Sequence, residues 1–516
     1  MPHPTSDLAH SGTGSDQPVP VTGGHVAGGH VAGGLAAARN AFVAAFPSEQ
    51  LVTDPVGLKA YECDGLTAFR MRPALVVLAQ STEDVARAVG ICARYGVSFV
   101  PRGAGTGLSG GALPGPDSVV ISTARMRKVL AIDADNRRMT VQPGMANSAV
   151  SAAAEPYGLY FAPDPSSQIV CSVGGNVAEN SGGAHCLKYG FTTNHIHAVT
   201  VVTPTGEIVQ LGGNSADPIG PDLLAVFIGS EGTLGIVTEI TVKLLVRPVA
   251  VRTLVADFAT AEQAADAVSG LVSHGVIPAA VEMLDQLAIS AVETATHAGY
   301  NRDAGAALVI EVDGFDAVVG EEFEIAERLC RDNHATTIRI AQTPHERDLI
   351  WKGRKSAFAA MGRISPAYLV QDGVIPRTRL AEVLTRIAEL GKAAELRVAN
   401  VFHAGDGNLH PLVLFDSDDA EETERAEQLS TAIAELCVAF GGALSGEHGI
   451  GADKACSMPT MFSDDDLDTM QRVRSAFNPD GLANPDKIFP TPRLCGEKSG
   501  KYRPHPLEST GLIGRG

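Results

Sequence analysis

Apolar positions recur along this chain with two periods, and each change of period marks an element. An Ala-rich run from Leu35 is spaced for one face of an amphipathic helix. ALVVLAQ (74–80) is a continuous apolar run of strand length and predicts a buried strand. Thr82–Tyr95 returns to helical spacing, opened by Ser81 or Thr82 with acids in its first turn. VSFVPRG (97–103) is strand-like again, and this β-α-β start predicts an α/β half. Short strands are predicted over 118–123 and 139–144, a hairpin over 197–211 turning at Thr205-Gly206, and a strand over 235–245. Arg247–Pro248 is a boundary. Beyond it, a strand (251–258), a helix (260–274), a strand near 307–313 and a helix (320–333) predict a ferredoxin-like α+β layer. Helical spacing resumes over 419–440 and 463–476.

The fold class expected is α+β, with one folded part over 35–248 and a cap over 249–490. A length of 516 residues agrees, since one hydrophobic core rarely serves so long a chain. A Gly/His-rich tail over 1–34 and a second tail over 491–516 flank the folded parts. The repeat GGHVAGGHVAGG has too little apolar bulk to offset backbone ordering, so His25 and His30 read as tail residues rather than metal ligands. The net charge of −19 argues against nucleic acid or an anionic membrane as a direct partner. No apolar run approaches the roughly 18–20 residues of a membrane span, and the N-terminus lacks the pattern of a secretory signal. Eight scattered cysteines without a CxxC pair predict free thiols, a reducing compartment and no iron–sulfur cluster on this chain. Cytoplasm is the expected location.

PRGAGTGLSGG (101–111) contains Gly105-x-Gly107-x-x-Gly110, which satisfies the dinucleotide fingerprint GxGxxG. That fingerprint requires a helix directly after the glycines, and Ala112-Leu113-Pro114-Gly115-Pro116 cannot start one. What remains is either a turn or a concave anion nest made by successive backbone N–H groups. FAPDPSSQ (161–168), SVGGNVAENSGG (172–183) and IGSEGTLGIVTE (228–239) repeat the composition. Four such loops in one domain fit a long ligand threaded between two layers and touched by backbone amides.

The cap holds two polar clusters in apolar surroundings. In VFHAGDGNLHPLVLF (401–415), His403, Asp406, Asn408 and His410 flank a Gly-Asp-Gly turn, and SGEHGIG (445–451) adds Glu447 and His448. Two histidines and a carboxylate suit a divalent metal with open positions. Equally, Asp406 could cap the turn while the histidines satisfy buried hydrogen bonds. His448 is the candidate general base, because histidine titrates nearest neutral pH.

Taken together, PRGAGTGLSGG, QPG (142–144), PDPSSQ (163–168), GGNVAENSGG (174–183), KYG (188–190) and GSEGTLGIVTE (229–239) resemble, in order and spacing, the FAD-binding domain of the vanillyl-alcohol oxidase/p-cresol methylhydroxylase flavoproteins. YECDG (61–65), GRISP (362–366) and NVFHAGDGNLHP (400–411) resemble in particular the D subunits of bacterial glycolate oxidases. The resemblance implies a two-part FAD-binding domain of the p-cresol methylhydroxylase type followed by the ferredoxin-like cap. It implies that Pro101, Arg102, Gly103, Ala104, Gly105, Thr106 and Gly107 hold the FAD pyrophosphate. Ser109, Gly110, Pro163, Asp164, Ser166, Ser167, Gly174, Gly175, Asn176, Asn180 and Gly182 would follow the cofactor toward the flavin ring. Gly235, Ile236 and Val237 would close the adenosine side, and Asn484 would return to the flavin. Relatives with a covalent tether place a His in the first loop; Thr106 stands there here, so non-covalent FAD is implied.

The same resemblance makes His403, His410 and Glu447 ligands of a divalent metal (zinc, manganese or iron), with His448 as catalytic base. Arg354, in LIWKGRKSAF (349–358), would pair its planar fork with the substrate carboxylate, while Lys352 and Lys355 read as a solvated face. Relatives that take hydroxyglutarate carry a Lys near Val370, so its absence favours a small monocarboxylate. The implied reaction is oxidation of glycolate to glyoxylate by hydride transfer to flavin. Electrons would pass to a quinone-type acceptor or to partner subunits with a second flavin-type fold and iron–sulfur clusters, which could seat the assembly at the inner membrane. D-lactate or D-2-hydroxyglutarate oxidation is the near alternative, and a non-catalytic FAD-binding subunit the distant one.

Overall fold

A computed structural model describes residues 34–215 and 220–490. The expected tails over 1–34 and 491–516 lie outside the described residues, apart from Gly34, which opens the first helix (Gly34–Ala45). No helix among them is long and apolar enough to cross a membrane.

The first half is two sheets. Strands Leu75–Leu78, Val119–Ser122 and Phe99–Arg102 run parallel, and Leu51–Val52 pairs antiparallel at the edge. The helix Thr82–Tyr95 covers this sheet. Ser81 caps it by accepting a hydrogen bond from the Asp84 N–H, and Gly96 ends it in the left-handed conformation that glycine adopts without strain. Phe42, Val77, Val89, Phe99 and Ile121 form the core between them. The second sheet is antiparallel, in the order Val129–Asp133, Arg138–Val141, Ile236–Lys243, Ile196–Val202, Ile208–Gly212. Its last two strands are the expected hairpin over Gly206. Val202 and Ile236 of this sheet belong to the first sheet's core, so the two are packed as one body.

From Ala250 the chain builds a larger sheet. Its first four strands lie in the order Thr337–Ile340, Ala250–Phe258, Ala306–Gly314, Ala280–Asp285, all antiparallel, the split β-α-β arrangement of a ferredoxin-like layer. Arg397–His403 extends it and leads to Asn408–Leu409 and Pro411–Phe415. Ala306–Gly314 is buried on both faces. Leu308 and Ile310 meet the helices Ala261–Ser273 and Asp316–Asp332, while Val309 meets the helix Gln286–Thr296 on the other side. Sequence analysis does not isolate the strand Ala280–Asp285, which is buried on both faces and so lacks alternation, nor the helices Gln286–Thr296 and Leu380–Ala393. The chain finally returns to the first half: Asn484 N donates to Phe99 O, and Phe99 N to Leu482 O.

Among the described cysteines, six are free and five of those are buried. Cys456 is disulfide-bonded, which corrects the expectation of free thiols at that position.

Candidate active site

A cavity of about 370 Å³ opens between the two sheets of the first half and the cap. One wall is Pro101–Gly107, the loop leaving Phe99–Arg102; others are Ser166 and Ser167, Ser172–Asn176 and Gly235–Val237. Arg102 is buried beneath its own loop and donates through Nη1 to Cys63 O at 2.8 Å. Gly105 turns with φ +71° over that guanidinium, where a Cβ would clash. Gly103 packs on Ser172, which caps the helix Val173–Glu179, so neither glycine tolerates a side chain. The backbone N–H groups of Gly103 through Gly107 donate to no group among the described residues. Five successive unpaired amides on a cavity wall suit the oxygens of a pyrophosphate. The residues fit FAD.

Other residues expected along the cofactor lie behind the wall. Ser109 and Asn484 are fully buried, and Asn484 Nδ2 ties Gly111 O (2.9 Å) to Glu231 O (2.6 Å). Asn180 ends the helix Val173–Glu179 in the left-handed conformation and accepts from Thr193 N. Gly110 packs on Ala452, and Gly182 leaves room for Glu447. Pro163 is buried outside the lining, and Asp164 pairs with His185 at 3.0 Å. Sequence reading missed Asp64, Thr123, Ser172, Glu179 and Glu231, which do line the cavity. The carboxylates gave no signal because nothing in sequence spacing aims them inward.

The cap contributes Phe358, Glu447 and His448 to the wall. His403 and His410 stand directly behind, on the strand ends that flank the Gly-Asp-Gly turn. His403 Nδ1 lies 2.7 Å from Glu282 Oε1, and His410 Nδ1 3.3 Å from Gln371 O. With each Nδ1 turned to these acceptors, Nε2 is the atom each ring presents toward Glu447. Those Nε2 atoms lie 3.5 and 3.1 Å from Glu447 Oε1, yet neither forms a hydrogen bond, and Glu447 Oε2 has no partner. Buried ligand atoms converging without hydrogen bonds fit a metal site.

His448 Nε2 is 3.5 Å from Glu447 Oε1, and its ring stacks on His410. Burial pulls its pKa down, but Asp372 and then Glu447 outweigh that and raise it. Asp372 is fully buried. It accepts from Ser445 Oγ (2.5 Å), Gly446 N (3.1 Å), Glu447 N (3.2 Å) and His448 N (2.8 Å), gathering the whole loop. Burial alone would raise the Asp372 carboxyl, but His448, Lys454 and His410 bring it down to about 2. Arg354 is buried four residues from Phe358, with Nη2 2.6 Å from Glu282 Oε2. It does not line the cavity, although its Nε and Nη2 carry no hydrogen bond.

Known proteins are similar to this chain in sequence and in fold. A family model described as FAD linked oxidases, C-terminal domain, matches residues 247–488, and one described as FAD binding domain matches 73–212. Glycolate oxidase subunit GlcD of Escherichia coli (strain K12) is 51% identical over 437 residues, 85% of this chain and 88% of that protein. The subunit of the same name from Bacillus subtilis (strain 168) is 36% identical, covering 84% of this chain and 92% of its own. D-lactate dehydrogenase of Anaerostipes hadrus is 34% identical over 86% of this chain and 95% of its own. Among solved structures, p-cresol methylhydroxylase with substrate bound superposes with a TM-score of 0.76 at 15% identity, covering 89% of this chain and 98% of that one, a likeness of fold. With both halves matched in order and half of the 437 aligned residues shared with a bacterial relative, the chain belongs to the FAD-linked oxidases.

Proposed function

We propose that this chain oxidises glycolate to glyoxylate as the catalytic subunit of a glycolate oxidase. The observation that carries the reading is His448 placed at the cap end of the glycine-lined cavity, backed by His403, His410 and Glu447. Identity to the GlcD subunits supports glycolate over D-lactate or D-2-hydroxyglutarate.

Bound FAD supplies the two-electron acceptor for the hydride from the substrate carbon. A divalent ion on His403, His410 and Glu447 would supply Lewis acidity toward the hydroxyl. His448 accepts the hydroxyl proton at Nε2, and Asp372 fixes the loop from which it does so. Arg354 does not reach the cavity as the substrate's carboxylate partner; through its ion pair with Glu282 it holds His403 in orientation. The loop Pro101–Gly111 has no nucleophilic ring or thiol to tether a flavin, which supports non-covalent FAD. The relatives' description as subunits supports partner subunits that take the electrons onward.

The test is anaerobic mixing of the purified yellow protein with glycolate, D-lactate and D-2-hydroxyglutarate, with metal analysis. Glycolate should bleach the flavin fastest, with about one divalent ion per chain (the one-site stoichiometry of such a triad). Faster bleaching by hydroxyglutarate would overturn the substrate, and a colourless protein that takes up no FAD would overturn the whole reading.

A further inference from the structure

Two carboxylates of the cofactor half meet beneath the loop that carries His448. Glu179 ends the helix Val173–Glu179, and Glu231 lies in the turn before Ile236–Lys243; both line the cavity. They converge on Gly449, the residue after His448: a Cβ there would clash with Glu179 Oε2 and lie 2.8 Å from Glu231 Oε1. Their surroundings differ. Glu231 Oε1 accepts from Ile450 N and Oε2 from Gly451 N, each at 2.7 Å. The Glu179 carboxyl has no hydrogen bond and no ion pair among the described residues, and its Oε2 is buried.

Adjacent buried carboxylates repel, so the pair favours a single charge. Burial raises Glu231 to about 7, against the lowering by the Ile450 and Gly451 N–H groups and by Lys487 and Lys454. The charge belongs on the one whose oxygens already receive two N–H groups. That is Glu231. The proton belongs on Glu179. Burial, then Glu231, Asp64 and Asp372, push the Glu179 carboxyl well above the ordinary range. A protonated carboxyl carries an O–H that needs an acceptor, and this one faces a cavity. Its Oε2 lies against Gly449, which adjoins His448, and its Oε1 against Gly111 at the end of the glycine loop, so the acid stands between that loop and the reacting end of the cavity.

We propose that Glu179 is a neutral carboxylic acid that donates a hydrogen bond to the isoalloxazine ring of bound FAD, kept protonated by the negative charge of Glu231. This rests on FAD occupying the cavity with its ring at the His448 end. A donor at the ring favours the reduced cofactor, which carries more negative charge than the oxidised one.

The experiment is potentiometric titration of the full-length holoprotein and of its E179Q and E179L variants, with FAD affinity measured alongside. E179Q keeps a neutral donor and should leave the midpoint potential unchanged. E179L removes the donor and should weaken binding of reduced relative to oxidised FAD at least tenfold, about 30 mV lower for a two-electron couple. A potential that rises by as much in E179Q would show an ionised Glu179 in the parent and overturn the proposal; so would an E179L potential equal to the parent's. Should E179L fail to fold, infrared difference spectra of flavin reduction decide: a protonated-carboxyl band absent from E179Q is expected, and no such band in the parent overturns the assignment. Failure of the parent protein to bind FAD would instead sink the cofactor reading itself, before any variant is compared.

Discussion

Asp372 was invisible as a site residue in YLVQDG, where an acid before a glycine reads as a turn. In the fold it receives the N–H groups of Gly446, Glu447 and His448 and the Ser445 hydroxyl. The D372N variant keeps the shape but replaces one acceptor oxygen with a donor, so the loop must shift. We expect kcat to fall by about 10²-fold with FAD content unchanged, since positioned proton transfer contributes on that scale. H448A should also retain FAD, and lose about 10²–10⁴-fold in kcat, the span of general-base contributions. Equal loss of flavin would mark His448 as structural. The candidate metal ligands His403, His410 and Glu447 were legible by type; the Nδ1 contacts that orient the two histidines were not.

At the scale of elements, the same residue type has opposite consequences in two places. Gly449 has φ +86° and no room for a Cβ between Glu179 and Glu231. G449A should therefore destabilise by about 1–3 kcal/mol, the usual cost of such backbone strain, and lower kcat by moving His448. Gly320 lies inside the helix Asp316–Asp332 with nothing within 4 Å of an added Cβ. G320A should stabilise by about 0.5–1 kcal/mol through helix propensity alone. Urea unfolding checks both, and G320A should leave kcat unchanged. The strand–helix alternation of 74–103 was readable because its caps and periods are local. The helix predicted over 320–333 begins instead at Asp316, since tertiary packing of Val319 against the cap core extends it.

Across the whole molecule, a partly buried ionic network centred on the buried Glu311 joins the cofactor half to the cap. His185 lies 3.0 Å from Asp164 and 3.4 Å from Glu311, and stacks on Trp351. Arg347 Nε and Nη2 (2.8 and 2.7 Å) and Trp351 Nε1 (2.7 Å) also donate to Glu311. Burial opposes the His185 charge, but Asp164 and then Glu311 raise its pKa to about 10. A raised histidine pKa stabilises the fold fully below its unfolded value, about 6.5. That contribution is lost as pH climbs toward the folded value. H185Q should therefore cost about 3 kcal/mol at pH 6, as breaking a buried pair does. The difference from the parent should close as pH approaches 10, which urea midpoints at several pH values would show; a gap independent of pH would exclude the charged histidine.

The sequence by itself determined the class of protein: local periods set the strands and helices, and the ordered glycine loops resemble the FAD-binding type because close backbone approach restricts residue choice. Only the tertiary structure decided which of those residues face the cavity, that Asp164 serves the domain junction, that Arg354 lies behind His403, and that Glu179, Glu231 and Asp372 surround the reacting end. Convergence of groups hundreds of residues apart depends on long-range packing, which local spacing does not encode.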